Sequence, residues 1–202
     1  MVAKAAPDGY TLLMVASGPI VINPVMYAKV PYDPVKDLQP ISQVLTYQYV
    51  LVTPAASPFR SVDDLVSQAR SKPASLSYGS ADTVVTAVPH IRSGALRPLA
   101  VSGPRRAGSL PQVPTMQELG YKGFDITQFV GLMAPARTEA AIVRRLQQEV
   151  VKALKSPEVI ERLQNEGGNE LVGNTPEAFA ATIARELDMY RKLVADAKIK
   201  QE

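Results

Sequence analysis

Seventeen prolines divide this 202-residue chain. Each lacks a backbone N–H and has a fixed φ, so it interrupts helices and sheet ladders alike. The elements between them must be short and joined by well-defined turns. Tyr10–Ala16 (YTLLMVA) is a continuous apolar run, the pattern of a strand buried on both faces of a parallel sheet. It ends at Ser17-Gly18-Pro19, a small polar turn where open α/β sheets place ligands. An ordinary tight turn reads equally well there. Lys29–Pro40 is predicted as a surface loop, and Ile41–Thr53 as one long strand stopped by Pro54. Ser61 with Asp64 three positions on caps a helix over Ser61–Ser71.

Ser75–Gly103 is the stretch on which function turns. Leu76–Gly79 and Leu96–Val101 read as strands, with a helix over Thr83–Arg92 interrupted by Pro89. A crossover between parallel strands needs a dozen or more residues, so this linker is tight. Further on, Thr115–Leu119 reads as a brief helix ended by Gly120, Phe124–Pro135 as a strand and Thr138–Leu154 as an amphipathic helix. A helix starts at Ser156-Pro157-Glu158, a short strand covers Glu170–Val172, and Thr175-Pro176 opens the final helix to about Ala197. Such alternation indicates an α/β protein with mostly parallel pairing.

The residue inventory excludes several chemistries. Without cysteine there is no disulfide, thiolate nucleophile or thiolate metal site. One histidine leaves little for imidazole–zinc chemistry or a Ser-His-Asp triad. His90 lies just before Gly94 and reads as a helix-end residue, with no orienting partner of the kind a general base needs. Asp63-Asp64 complements the dipole of a helix first turn, and Glu186 and Asp188 read as solvated charges. No phosphate-binding or dinucleotide motif occurs. The net charge of +3 is spread out and forms no basic run, which argues against nucleic acid. No enzyme, cofactor or metal is expected.

What remains is a set of turns rich in backbone donors: Ser17-Gly18-Pro19, Gly79-Ser80-Ala81 and the Phe129–Gly131 bend. Exposed N–H groups and a hydroxyl suit a carboxylate better than a cation. On composition, plain strand-end turns are an equal reading.

VAKAAPDGYTLLM, INPVMYAKVPYDPVKDLQPIS, LSYGS, DTVVTAVPHIRSGALRPLAVSG, LPQVPTMQELGYKGFD, GLMAPA and NTPEAFAATIARE follow one another in order. Together they closely resemble the tripartite tricarboxylate transporter solute-binding receptors, the Bug (TctC-like) family. The resemblance implies a type II periplasmic-binding-protein-like α/β fold with mostly parallel sheets. Lobe one would be residues 1–46 with 132–202 and lobe two 47–131, crossing at Val44–Leu51 and Phe129–Ala134. It implies a receptor for small carboxylates (a di- or tricarboxylate or an acidic amino acid) serving membrane transporter subunits. Ligand-binding positions carried over are Ser17, Gly18, Gly79, Ser80, Asp82 and Phe129, the last as an aromatic bordering the cleft.

The chain departs from the family pattern in three places. Arg137 and Glu139 replace residues of an A-P-A-G-T-P turn, predicting a less sharp loop. The family's signal peptide, first strand and glycine-rich first loop have no counterpart before Met1. After Y-G-S the chain passes at once to Asp82-Thr83-Val84, so lobe two is reduced near 81–82. An alternative reading is therefore a non-binding remnant or interaction module of the same fold. The missing first strand predicts an exposed edge on Tyr10–Ala16 and self-association through it. Family members look periplasmic. MVAKAAPDGY has no signal-peptide pattern, so the sequence translated from Met1 predicts a cytoplasmic chain.

Overall fold

The computed structural model describes residues 2–79, 84–166 and 169–199. Its contacts divide the chain into two compact units. The first comprises Met1–Thr46, Gln128–Ile160 and Leu171–Glu202, the second Tyr47–Thr127 and Glu161–Glu170.

The first unit is built on a four-stranded sheet in the order β1-β5-β2-β6, where β1 is Leu13–Ala16, β2 Leu38–Gln48, β5 Thr127–Pro135 and β6 Glu170–Leu171. β1 pairs antiparallel with β5, Val15 facing Gly131 and Leu13 facing Met133. This corrects the expectation of a parallel strand buried on both faces. The strand is shorter than its apolar run, and it ends the strand order, so Met14 is 60% and Tyr10 93% exposed. The antiparallel partner comes from far along the chain, beyond the reach of local periodicity.

Behind the sheet lies α6, Pro176–Asp196, capped by Thr175, whose hydroxyl accepts from the Ala178 N–H. Its buried residues Phe179, Ile183 and Leu187 recur every four positions and form the stripe a helix needs to pack. Phe179 stands edge-on to Phe129 of β5 at a ring separation of 5.1 Å. The same ring occupies the space a side chain at Gly131 would take, so only glycine fits there. Ile20, Val21 and Met133 complete this core. On the other flank α4, Ala140–Leu154, buries Val143 against Ile41 and Ala134.

Between β5 and α4 the chain turns through Pro135–Thr138. The Thr138 N–H and hydroxyl both donate to the Pro135 carbonyl, at 3.3 and 2.8 Å. Arg137 there has φ +68°, the left-handed conformation that glycine adopts without penalty. The turn is thus closed despite the substitution, where a looser loop was expected.

The second unit holds a two-stranded antiparallel ladder of β3, Val50–Pro54, and β4, Leu96–Val101. The expected long strand over Ile41–Thr53 breaks at Tyr49. There the Ser102 hydroxyl accepts from the Tyr49 N–H at 2.9 Å and donates to the Ile126 carbonyl at 2.6 Å. The register slips between Leu51 and Val52, opposite Pro98, which has no N–H to give the ladder. Since β4 returns antiparallel to β3, the tight parallel crossover is not needed.

Helix α2, Val62–Ser71, opens with the predicted capping box: Ser61 accepts from the Asp64 N–H while Asp64 accepts from the Ser61 N–H. Helix α3, Val84–Arg92, buries Val84 and Val88 with Val101 and Leu110. Residues 75–79 form no strand. The predicted Leu76–Gly79 element has the apolar content but no ladder among the described residues, and Tyr78 is 94% exposed. Thr115–Leu119 is a turn rather than a helix, tied by the Met116 N–H to the Val101 carbonyl. Helix α5, Pro157–Val159, is capped by Ser156 and extended by wider turns through Ile160–Glu166. The remaining short helix, α1, is Asn23–Met26.

Candidate functional site

Ser17 ends β1 and already has helical dihedrals, φ −59° and ψ −35°. The chain passes directly into a wide helical turn over Gly18–Ile22, with Pro19 supplying a fixed φ, and continues as α1. The predicted turn is therefore a strand-to-helix junction. Ser17 is fully buried, and a hydroxyl cut off from water needs a protein partner. It donates to Oε1 of Gln128, the second residue of β5. The Gln128 Nε2 donates in turn to the Tyr190 hydroxyl on α6 at 2.8 Å. Gly18 faces open space where a side chain would stand.

Phe129 is a core residue, 1% exposed, packed on Phe179. It does not wall an open surface. It is Gln128 whose side chain reaches Ser17. Gln128 gave no signal in sequence, because one amide at a strand start is unremarkable without its distant partners.

Gly79 lies in the second unit and lines a cavity of about 640 Å³. The walls are β3, the inner face of α2 (Val62, Leu65, Val66) and the segment Leu76–Gly79. Tyr121 closes one side, its hydroxyl donating to Asp63 at 3.1 Å. The lining is largely aliphatic and aromatic, suited to apolar groups more than to a carboxylate. Ser80 and Asp82, the other expected ligand residues, lie outside the described residues.

The other singled-out groups keep structural roles. His90 is exposed in the last turn of α3, and Gly94 at φ +76° ends the helix as predicted. Asp64 is held below the usual carboxylate range by the Arg60 N–H and the Ser61 cap. Among the described residues no cluster of three His, Cys, Asp or Glu could hold a metal, and no helix is long and apolar enough to cross a membrane.

The chain folds as two α/β units and crosses from one to the other more than once. The chain matches a solved periplasmic transporter with a TM-score of 0.89 at 27% identity, covering 100% of this chain and 82% of that one. A Rhodopseudomonas palustris protein solved with adipate matches at 0.87 and 25% identity, covering 98% and 81%. The model of the tripartite tricarboxylate transporter family receptor matches residues 1–88 and 81–198, and the chain belongs to that family. BugT of Bordetella pertussis is 29% identical, covering 98% of this chain and 75% of BugT. A protein encoded in the tcbD-tcbE intergenic region of Pseudomonas sp. strain P51 is also 29% identical, covering 98% and 72%.

Both alignments, at 245 and 246 positions, exceed the 202 residues of this chain. The two family segments overlap at 81–88. The relatives thus carry residues that this chain lacks.

Proposed function

We propose that this chain is an extracytoplasmic receptor that binds a small organic carboxylate and presents it to a tripartite tricarboxylate-type transporter. The observation that carries the reading is the match, over 98% of the chain, to a fold solved with adipate. The relatives' periplasmic setting supports the same location for this protein. The two units act as the two lobes of the receptor. Its donors on the first unit are the backbone N–H groups at Ser17-Gly18. Backbone N–H groups and bridging water serve a carboxylate without a dedicated cation. Phe129 contributes through the core that supports β5, and no catalytic group takes part.

A second reading has its own support. The two family-model segments overlap at residues 81–88, and an apolar cavity is lined in part by Gly79. A chain that keeps the receptor fold but has lost solute binding fits both. Calorimetric titration with adipate, malate, a tricarboxylate and glutamate separates the two readings. Saturable heat with one of these supports the receptor, and none at millimolar ligand supports the remnant.

A further inference from the structure

We infer that Gln128 and Tyr190 are positioning residues for the Ser17-Gly18 turn, holding it in place through one buried hydrogen-bonded chain. The inference rests on the reading of that turn as part of the carboxylate site. Three observations carry it. Ser17 is fully buried and Gln128 only 4% exposed, so their hydrogen bond forms away from water. Both ends of Gln128 are engaged, Oε1 with Ser17 and Nε2 with Tyr190. Tyr190 follows Leu187 by three positions on α6, so the buried Phe179, Ile183 and Leu187 stripe fixes where its hydroxyl arrives.

An apolar trio would satisfy packing here at lower desolvation cost, since buried polar groups stabilise only when fully paired. What the polar chain adds is direction. A hydrogen bond fixes the Ser17 side chain, and through it the start of the turn, against two elements rooted in the same core. It also commits the Ser17 hydroxyl, which is then a holder of the turn and not a donor to the solute. The contribution of this turn to an anion falls to backbone N–H groups, whose aim depends on the turn staying put.

The test compares wild type with Gln128→Met, Tyr190→Phe and the double variant. Amide hydrogen exchange over residues 16–22 is read alongside calorimetric affinity for adipate. Exchange at Gly18 and Ile20 is expected to rise, and adipate affinity to fall, about tenfold in each single variant, the scale of one hydrogen bond. The double variant should be no worse than the singles, because the three groups act as one chain. Tyr190→Phe removes only one oxygen and carries the test if Gln128→Met does not fold. Unchanged exchange, or adipate affinity equal to wild type, overturns the inference. Raised exchange in variants of a wild type that binds none of adipate, malate, a tricarboxylate or glutamate leaves the positioning role supported and overturns the carboxylate reading of the turn.

Discussion

The hydroxyl of Ser17, at the end of the first strand, donates to the side-chain oxygen of Gln128, 111 residues further along. Its neighbour Phe129 is a core residue packed on the ring of Phe179. Phe129→Ala should therefore lower stability by about 3–5 kcal/mol, the cost of emptying a buried aromatic site. Urea unfolding checks this, and a loss below about 1 kcal/mol would be incompatible with a core position.

Gly131 and Phe179 make a tighter pair. A Cβ at position 131 would lie inside the contact radius of the Phe179 ring. Gly131→Ala is expected to cost about 1–3 kcal/mol through overpacking. Adding Phe179→Leu should recover part of that loss, so the double variant would be more stable than the two single losses predict. Simple additivity in denaturant midpoints would show that the two sites do not touch.

Arg137 adopts a left-handed φ of +68° at the turn before α4. A non-glycine residue there costs about 1–2 kcal/mol, offset in part by the greater entropy of glycine in the unfolded chain. Arg137→Gly should raise the thermal midpoint slightly, or leave it unchanged. A clear drop would mean that the arginine side chain contributes contacts larger than the strain.

Glu118 accepts from the Arg106 guanidinium at 2.8 Å and from the Thr115 N–H at 2.8 Å. The Arg106 bond, then the Thr115 bond, hold its pKa below the ordinary 4.5. A lowered folded pKa favours the ionised native state. Its contribution is present above 4.5 and disappears as pH falls through the lowered value. Urea midpoints measured from about pH 6 to pH 3 should drop less steeply in Glu118→Gln than in wild type. Parallel acid limbs would contradict this.

How much of this was legible in sequence depended on the distance over which each feature is determined. The Ser61–Asp64 capping box, the Gly94 helix stop and the Thr175-Pro176 helix start came out as read, because each is settled within four residues. The family resemblance located the fold and receptor class. The antiparallel pairing of β1 with β5 was not readable, since it joins segments more than 100 residues apart. Leu76–Gly79 has strand composition, but a strand exists only with a partner to take its N–H and C=O groups. The Ser17–Gln128–Tyr190 chain escaped for both reasons: its three members are distant, and none is an unusual residue type. Arg137 departs from the family turn in sequence, and its left-handed φ of +68° is visible only in the structure.

The central claim is that this chain serves as a carboxylate receptor. Isothermal titration of the purified 202-residue chain with adipate tests it most directly. The account predicts saturable one-to-one binding, weakened by Gln128→Met. No heat of binding with adipate, malate, a tricarboxylate or glutamate at millimolar concentration would contradict it.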